Sequence, residues 1–184
     1  LTPFLDGWSL DAWIMPQQGQ CLLPSRALQC QQQQQMAGNV SIRTETRLQG
    51  MTLISQASVE LEHGIAVCKL RLRAKSDRAG DLILALRPQN PEGISFIHRV
   101  RLNSERTAWQ VDDNTRVEFS RKAERHHVST YRQGDVYIHL NDAQEQNDGV
   151  CDVGMVTAAA LFPLPADEWQ ELVVSVPLTA ERNE

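Results

Sequence analysis

Apolar and small side chains recur at every second position along much of this chain. The pattern is clearest in residues 51–61, where the alternate positions carry Met51, Leu53, Ser55, Ala57, Val59 and Leu61. Successive Cβ atoms of an extended strand point to opposite sides of a sheet, so these side chains should share one face. The pattern therefore predicts a β-strand with one face toward a core.

Turn residues interrupt the alternation at short intervals. Gln49-Gly50 and His63-Gly64 are tight-turn dipeptides, and the two prolines and the glycine of Pro88–Gly93 prevent regular ladder pairing. Besides residues 40–48 and 51–62, strands are predicted at 65–74, 82–87, 94–102, a short piece around Trp109 and Val111, 116–120, 127–131, 135–140, 150–162 and 170–178. Roughly a dozen short strands are too many for one flat sheet, which predicts an all-β fold, a large antiparallel sandwich of two sheets.

Residues 1–39 differ from the rest of the chain. Trp8 and Trp13 stand among prolines, so this N-terminal segment is expected to wrap along the sandwich. The run Gln31–Gln35 is expected to be a solvated loop or a short helix. The sandwich domain then covers residues 40–178. The polar residues 179–184 are expected to begin a linker, in a chain that is a piece of a longer protein.

Composition and charge exclude some classes of partner. The formal net charge of −5 argues against a nucleic-acid partner, which favours a basic face. No stretch approaches the ~20 apolar residues of a membrane helix, so no membrane partner is expected. The four cysteines, of which Cys68 is expected to be a buried thiol, form no Cys-x-x-Cys pair. A disulfide framework is not expected in a core of this size, and a reducing, cytoplasmic compartment is favoured.

No combination of residues in the sequence predicts chemistry. A zinc site needs three or four converging ligands, whereas the adjacent His126 and His127 would point to opposite faces of a strand. Glu60 and Glu62 share a strand face, as any solvated pair would, and other acidic pairs lie in turns. Nucleophile-elbow and phosphate-loop motifs are absent. We therefore predict no catalytic residue, no metal site and no cofactor.

One segment resembles a known family. Residues 82–93 are similar to an L-x-L-x-x-R-P-x-N-P-x-G strand and turn of a β-sandwich domain. That domain is the N-terminal supersandwich, galactose-mutarotase-like in architecture, of glucoamylase-like and glycogen-debranching-type glycoside hydrolases. Residues 40–44 with 50–53, and 154–164 with 168–178, resemble its early and closing strands. The similarity extends from about Trp8 to Leu178.

The resemblance implies that this chain supports catalysis by another domain and does not itself catalyse a reaction. The family's catalytic glutamates lie on a helical barrel, so no catalytic residue carries over, and the parent protein would act on α-glucans or related oligosaccharides. The expected partners are the helical catalytic domain of the same polypeptide and carbohydrate. Candidate contacts to sugar or to that domain are Arg87, Asn90, His98 and Trp109. Core packing is the favoured alternative for Trp109.

Three other functions stay open. A free-standing carbohydrate-binding module would need an exposed aromatic platform or a groove. An aldose-mutarotase-like enzyme would need a histidine and a glutamate converging on the concave face, and His98 and His139 are the strand histidines to consider. A structural domain unrelated to sugars is the fourth possibility.

The turn that carries the family resemblance has two interpretations. Pro88 and Pro91 fix φ on either side of Asn90, so the loop is stiff and can meet a partner with little ordering cost. Alternatively, Arg87 pairs with a nearby acid and Asn90 caps the turn.

Overall fold

In the computed structural model, which describes residues 1–178, the chain forms two stacked antiparallel sheets. Strands account for 55% of the residues and helix for 4%, which confirms the predicted all-β sandwich. The strands are β1 (Ser9–Pro16), β2 (Gln29–Gln35), β3 (Ser41–Leu48), β4 (Met51–Glu62), β5 (Ile65–Lys75), β6 (Gly80–Arg87), β7 (Gln89–Asn90), β8 (Gly93–Ile94), β9 (Arg99–Leu102), β10 (Ala108–Val111), β11 (Thr115–Phe119), β12 (Arg125–Ser129), β13 (Asp148–Val150), β14 (Thr157–Leu164) and β15 (Gln170–Pro177). The linker expected at 179–184 lies outside the described residues.

The two sheets differ greatly in width. Nine strands form the large sheet in the order β13-β9-β10-β11-β15-β5-β4-β3-β2, and four form the small sheet in the order β1-β6-β14-β12. Strands β7 and β8 make a separate two-stranded hairpin. Pro24–Arg26 and Val136–His139 are short 3₁₀ helices. Neither of these, nor any other helix within residues 1–178, is long and apolar enough to cross a membrane.

The core lies between the sheets, and the small sheet is buried on both faces. Leu82, Leu84 and Leu86 of β6 point toward the large sheet, while Ile83 and Ala85 point away from it into a second apolar cluster. The 3₁₀ helix Val136–His139, called the 3₁₀ segment below, covers that second cluster with Val136 and the adjoining Leu140. Burial on both faces explains why β6 is a continuous apolar run rather than an alternating one.

The predicted tight turns join consecutive antiparallel strands. Gln49 and Gly50 have φ of +44° and +80°, and His63 and Gly64 have φ of +51° and +83°. Two successive left-handed residues give the backbone twist that a two-residue hairpin loop requires. The turns connect β3 to β4 and β4 to β5, which makes this the most regular part of the large sheet.

The N-terminal segment 1–39 contributes strands to both sheets. β1 forms an edge of the small sheet through antiparallel pairing with β6. The glutamine run is neither a loop nor a helix but most of β2, which pairs with β3 along seven residues. Gln32 Nε2 donates to Thr44 Oγ1 at 3.3 Å. Glutamine has little intrinsic preference for strand, so the edge offered by β3 decides the conformation.

The prediction of a strand at 135–140 is wrong. Asp135 is the N-cap of the 3₁₀ helix, and its carboxylate accepts a hydrogen bond from the Tyr137 backbone N–H at 2.9 Å. This local capping outweighs the apolar alternation of the segment. The predicted strand 94–102 is also interrupted, because pairing occurs only at Gly93–Ile94 and Arg99–Leu102. His139 therefore lies on a 3₁₀ turn and not on a strand.

The alternating side chains of β4 share one face as predicted, but only part of that face is buried. Met51 and Leu53 are buried, whereas Val59 is exposed and Leu61 is 79% exposed. The small sheet is less than half as wide as the large one, so it covers only part of the inner face. The alternation of apolar residues in the sequence does not show where the small sheet stops covering the large one.

Gly80 offers a test of the contact between β1 and β6. A Cβ at Gly80 would overlap the Met15 carbonyl oxygen and lie 2.7 Å from Pro16 Cα, both of which are backbone atoms that cannot swing away. We expect Gly80→Ala to lower the free energy of unfolding by more than about 2 kcal/mol, measured by urea denaturation. Gly38→Ala is the control. A Cβ at Gly38 would meet nothing within 4 Å, and the φ of Gly38 is +76°, so the substitution should lower the free energy of unfolding by only about 1 kcal/mol. Equal losses would contradict close β1–β6 packing.

Candidate functional site

Trp109 is part of the core and not a surface platform. Its side chain is 0% exposed, and its ring packs edge-to-face on Phe119 at 4.8 Å between centroids. Phe119 in turn packs on Phe162 of the small sheet at 5.9 Å. The expectation of a sugar or domain contact is wrong for Trp109, because its indole has no accessible face. The alternative of core packing is confirmed.

His126 bridges this aromatic cluster to a surface loop. Trp109 Nε1 donates to His126 Nε2 at 2.7 Å, so Nε2 carries no proton. The proton of the neutral ring is then on Nδ1, which donates to the Gln146 carbonyl oxygen at 2.9 Å. Burial is the main reason that the pKa of His126 is lowered to about 3. His126 is therefore a neutral structural link and not an acid–base group at neutral pH.

Arg87 joins three parts of the small-sheet side of the fold. Its Nη2 lies 2.6 Å from Asp135 Oδ2, and its Nη1 lies 3.7 Å from Asp11 Oδ2. The guanidinium also lies over the Trp13 ring at 5.6 Å from the centroid. These contacts fix the end of β6 against β1 and the 3₁₀ segment. The interpretation that Arg87 pairs with a nearby acid is confirmed.

Asn90 caps the stiff turn. Its Oδ1 accepts hydrogen bonds from the backbone N–H groups of Glu92 at 2.9 Å and Gly93 at 3.0 Å. Its Nδ2 donates to the Gly7 carbonyl oxygen at 3.1 Å, which ties the turn to the start of the chain. The capping interpretation is confirmed, and all three of these bonds are internal to the chain. A contact between Asn90 and another domain stays a prediction.

His98 is the one exposed residue among the four predicted contacts. Its backbone N–H donates to Asp112 Oδ1 at 2.9 Å, and its ring Nδ1 lies 3.3 Å from the Cys151 carbonyl oxygen. The ring stacks on Phe96 with 6.2 Å between centroids. The structure does not bring His98 together with Arg87, Asn90 or Trp109 in a shared pocket.

A polar recess of about 310 Å³ lies beside β12, lined by His127, Gln133, His139, Asp142 and Glu145 among others. His139 Nδ1 is 2.8 Å from Asp142 Oδ2, and its Nε2 is 3.0 Å from the Gln133 carbonyl oxygen. These two interactions raise the pKa of His139 above its usual value. Both ring nitrogens are thus used internally, and within residues 1–178 neither His98 nor His139 bonds a glutamate. No group of three His, Cys, Asp or Glu side chains there could hold a metal ion.

A groove of about 290 Å³ separates β1 from the uncovered inner face of the large sheet. Its lining combines aliphatic and hydroxyl side chains, including Leu10, Ile42, Thr44, Leu53 and Ser55. The groove exists because the small sheet ends at β1 while the large sheet continues through β3 and β2. Sequence analysis missed this groove, since its position depends on the difference in width between the sheets.

Exposed apolar side chains collect at one end of the sandwich, which we call the apolar end. It is the end at which β6 finishes at Arg87 and β15 finishes at Pro177. Strand register places Val59, Leu61 and Ile65 there. The segments that adjoin strand ends at this end of the sandwich carry the exposed residues Leu5, Met36, Val40, Ile94, Phe96, Tyr131 and Val153. Leu28 and Trp169 lie at the opposite end. Single exposed apolar residues are ordinary, but their concentration at one end indicates an interaction surface.

Comparison with solved structures shows where the fold of this chain recurs. A bacterial glucoamylase complexed with acarbose matches 92% of this chain at a TM-score of 0.58 and 8% sequence identity. The chain has the fold of one part of that glucoamylase. The match spans 27% of the glucoamylase chain, so the chain corresponds to about a quarter of that protein. The predicted resemblance is confirmed at the level of the fold.

A second solved structure gives a weaker match. A putative kojibiose phosphorylase from the human microbiome covers 90% of this chain and 21% of its own, at a TM-score of 0.48 and 10% identity. No protein-family model matches the chain. No curated protein is significantly similar to it in sequence.

The buried His126 predicts a pH-dependent stability. In the unfolded chain His126 binds a proton near pH 6.5, whereas in the folded chain it does so only near pH 3. Its stabilising effect is therefore complete above pH 6.5 and is lost as the pH falls toward 3. We expect a loss of about 2 kcal/mol between pH 7 and pH 5, measured by urea denaturation at both values.

His126→Gln keeps an acceptor and a donor but cannot titrate, so it should remove most of this pH dependence. Burial also lowers the pKa of His127, which leaves the variant a residual slope. His63→Asn is the control, because His63 is exposed and lies at a left-handed position that asparagine tolerates. If His126→Gln and His63→Asn show the same pH slope, His126 does not titrate as proposed.

The Asn90 cap predicts a second stability effect. Asn90→Ala removes three hydrogen bonds and should lower the free energy of unfolding by about 2 kcal/mol. Gln89→Ala, at the exposed neighbouring position, should change it by less than about 0.5 kcal/mol. Thermal denaturation of both variants measures the difference. An unchanged melting temperature for Asn90→Ala would show that the turn does not depend on its cap.

Proposed function

We propose that this chain is a non-catalytic β-sandwich domain of a larger glycoside hydrolase that acts on α-glucans or related oligosaccharides. Its function is to pack against a helical catalytic domain of the same polypeptide and to support it. The observation that carries the proposal is the concentration of exposed apolar side chains at the apolar end. The likeness in fold to a quarter of a bacterial glucoamylase supports the type of parent protein.

The position of the apolar end favours a partner in the same polypeptide. β15 finishes at this end, and Leu178 remains bound there through its backbone N–H to the Ala66 carbonyl oxygen at 2.8 Å. A domain that follows Leu178 by a short connection would meet the apolar end first. Burial of apolar surface drives such packing, at roughly 25 cal/mol per Å².

The polar chemistry of the chain supports a non-catalytic role. Glycoside hydrolysis requires two carboxyl groups that face one bond. Glu60, one of the candidate carboxylates, accepts hydrogen bonds from Arg71 Nη1 and Nη2 at 2.7 and 3.0 Å, which lowers its pKa. Glu62 pairs with Lys69 at 2.7 Å. Glu60 and Glu62 are thus both engaged in cross-strand ion pairs on the sheet.

Substitutions at the apolar end test the proposal. Leu61→Ser and Ile94→Ser should leave the melting temperature of the 184-residue chain within about 1 °C, because both side chains are exposed. In the longer polypeptide, each loses a buried contact of about 1–3 kcal/mol, so we expect a melting temperature lower by several degrees and reduced glucan hydrolysis. Differential scanning calorimetry and glucose release from maltooligosaccharides measure the two effects.

Leu28→Ser is the matched control, since Leu28 is an exposed apolar residue at the opposite end. Measured at micromolar concentration, where association between copies is slight, it should change neither the longer polypeptide's melting temperature nor its hydrolysis. The 184-residue chain alone should release no glucose. Equal effects of Leu28→Ser and Leu61→Ser would contradict packing through the apolar end, and glucose release by the chain alone would contradict the non-catalytic role.

A further inference from the structure

Strand β2 leaves one edge of the large sheet open. Its seven residues, Gln29–Gln35, are all exposed, and their backbone hydrogen bonds within residues 1–178 go to β3 alone. The strand has no charged residue and no proline. Natural sheets usually protect their edges with lysine, proline, a bulge or a covering segment, and β2 has none of these.

Within residues 1–178, the other edges of the large and small sheets are protected. Leu22 bridges to Ile14 on the outer side of β1, and Leu1 exchanges hydrogen bonds of 2.7 and 2.8 Å with Leu10. The backbone N–H of Gln146 donates to the His126 carbonyl oxygen on β12 at 3.2 Å. Strand β13 is three residues long and carries a charged aspartate. The contrast singles out β2 as a site for strand addition.

We infer that β2 pairs antiparallel with β2 of a second copy of this chain, which joins the two large sheets into one. The inference concerns association between copies and does not depend on the proposed function. The pairing is centred on Gln32, so that Gln32 of one copy lies opposite Gln32 of the other. Under this register Gln31 faces Gln33, and Cys30 faces Gln34.

The residues that flank β2 support this register and a second copy as the partner. Leu28 is fully exposed and Met36 is 71% exposed, and each lies four residues from Gln32. Pairing about Gln32 therefore places Leu28 of each copy opposite Met36 of the other, which covers both apolar side chains. Between them, glutamine faces glutamine at most positions, and each amide can both donate and accept a hydrogen bond. An uncharged strand of this kind meets its own copy without like-charge repulsion.

The size of the contact sets its strength. A pair of seven-residue strands buries less area than the roughly 1,200 Å² that stable protein–protein interfaces require. The dimer should therefore be reversible and dependent on concentration. Sedimentation equilibrium should show the 184-residue chain shifting from monomer to dimer between micromolar and millimolar concentrations.

A disulfide on the two-fold axis tests the register. Directly opposite residues of antiparallel strands have Cα atoms about 4.5–5.5 Å apart, which suits a disulfide. In a Cys30→Ser background, Gln32→Cys should form a covalent dimer under mild oxidation. Gln33→Cys, in the same background, lies opposite Gln31 and on the other face of the sheet, so it is the matched control and should cross-link at least tenfold more slowly.

Charge on the strand tests the pairing itself. Gln31→Lys with Gln33→Lys places lysine opposite lysine on both sides of the axis, and we expect a dimer at least tenfold weaker. Gln17→Lys with Gln144→Lys adds the same charge at exposed glutamines away from the edge and should weaken it by less than threefold. Circular dichroism confirms that all variants are folded. A monomeric chain at millimolar concentration, or equal cross-linking of Gln32→Cys and Gln33→Cys, would overturn the inference.

Discussion

The packing of a narrow sheet on a wide one is the constraint from which the other features of this structure follow. Four strands cannot cover nine, so part of the inner face of the large sheet is left without a partner. The groove beside β1 results from this mismatch, and Val59 and Leu61 at the end of β4 are exposed on the same inner face. The surfaces available for interaction are therefore set by the architecture rather than by a cluster of reactive side chains.

Polar groups fix the geometry of the covered part. His126 connects the indole of Trp109 to the loop carbonyl of Gln146, and it can do so only while its ring is neutral. Arg87 similarly links β1, β6 and the 3₁₀ segment through Asp11, Asp135 and the Trp13 ring. Buried or half-buried polar groups of this kind are costly to leave unpaired, so they specify one arrangement of the surrounding elements. Residues that would suggest chemistry in a sequence act here as structural links.

Two surfaces, the apolar end and the β2 edge, then remain for partners, and each suits a different kind of partner. The apolar end gathers side chains that gain from burial against another domain, and β15 finishes there. The β2 edge offers backbone hydrogen bonds and uncharged amides, which suit another strand. Met36 belongs to both surfaces, and the rest of the β2 edge runs along the side of the large sheet, away from the apolar end.

The sequence by itself determined the fold class, because the alternation of side chains and the spacing of turns such as Gln49-Gly50 are local consequences of strand and hairpin geometry. It also determined the resemblance carried by residues 82–93, which the shared fold with the glucoamylase confirms. These features depend on residues close together in the chain.

Only the tertiary structure decided which faces are covered and which edges are open. The glutamines of β2 became a strand because β3 presented an edge, residues 135–140 became a 3₁₀ turn because Asp135 caps them, and Trp109 entered the core. Each outcome depends on a neighbour supplied by a distant part of the chain or on a competing local bond. Periodicity records which side chains share a face, but the burial of that face depends on the width of the opposing sheet.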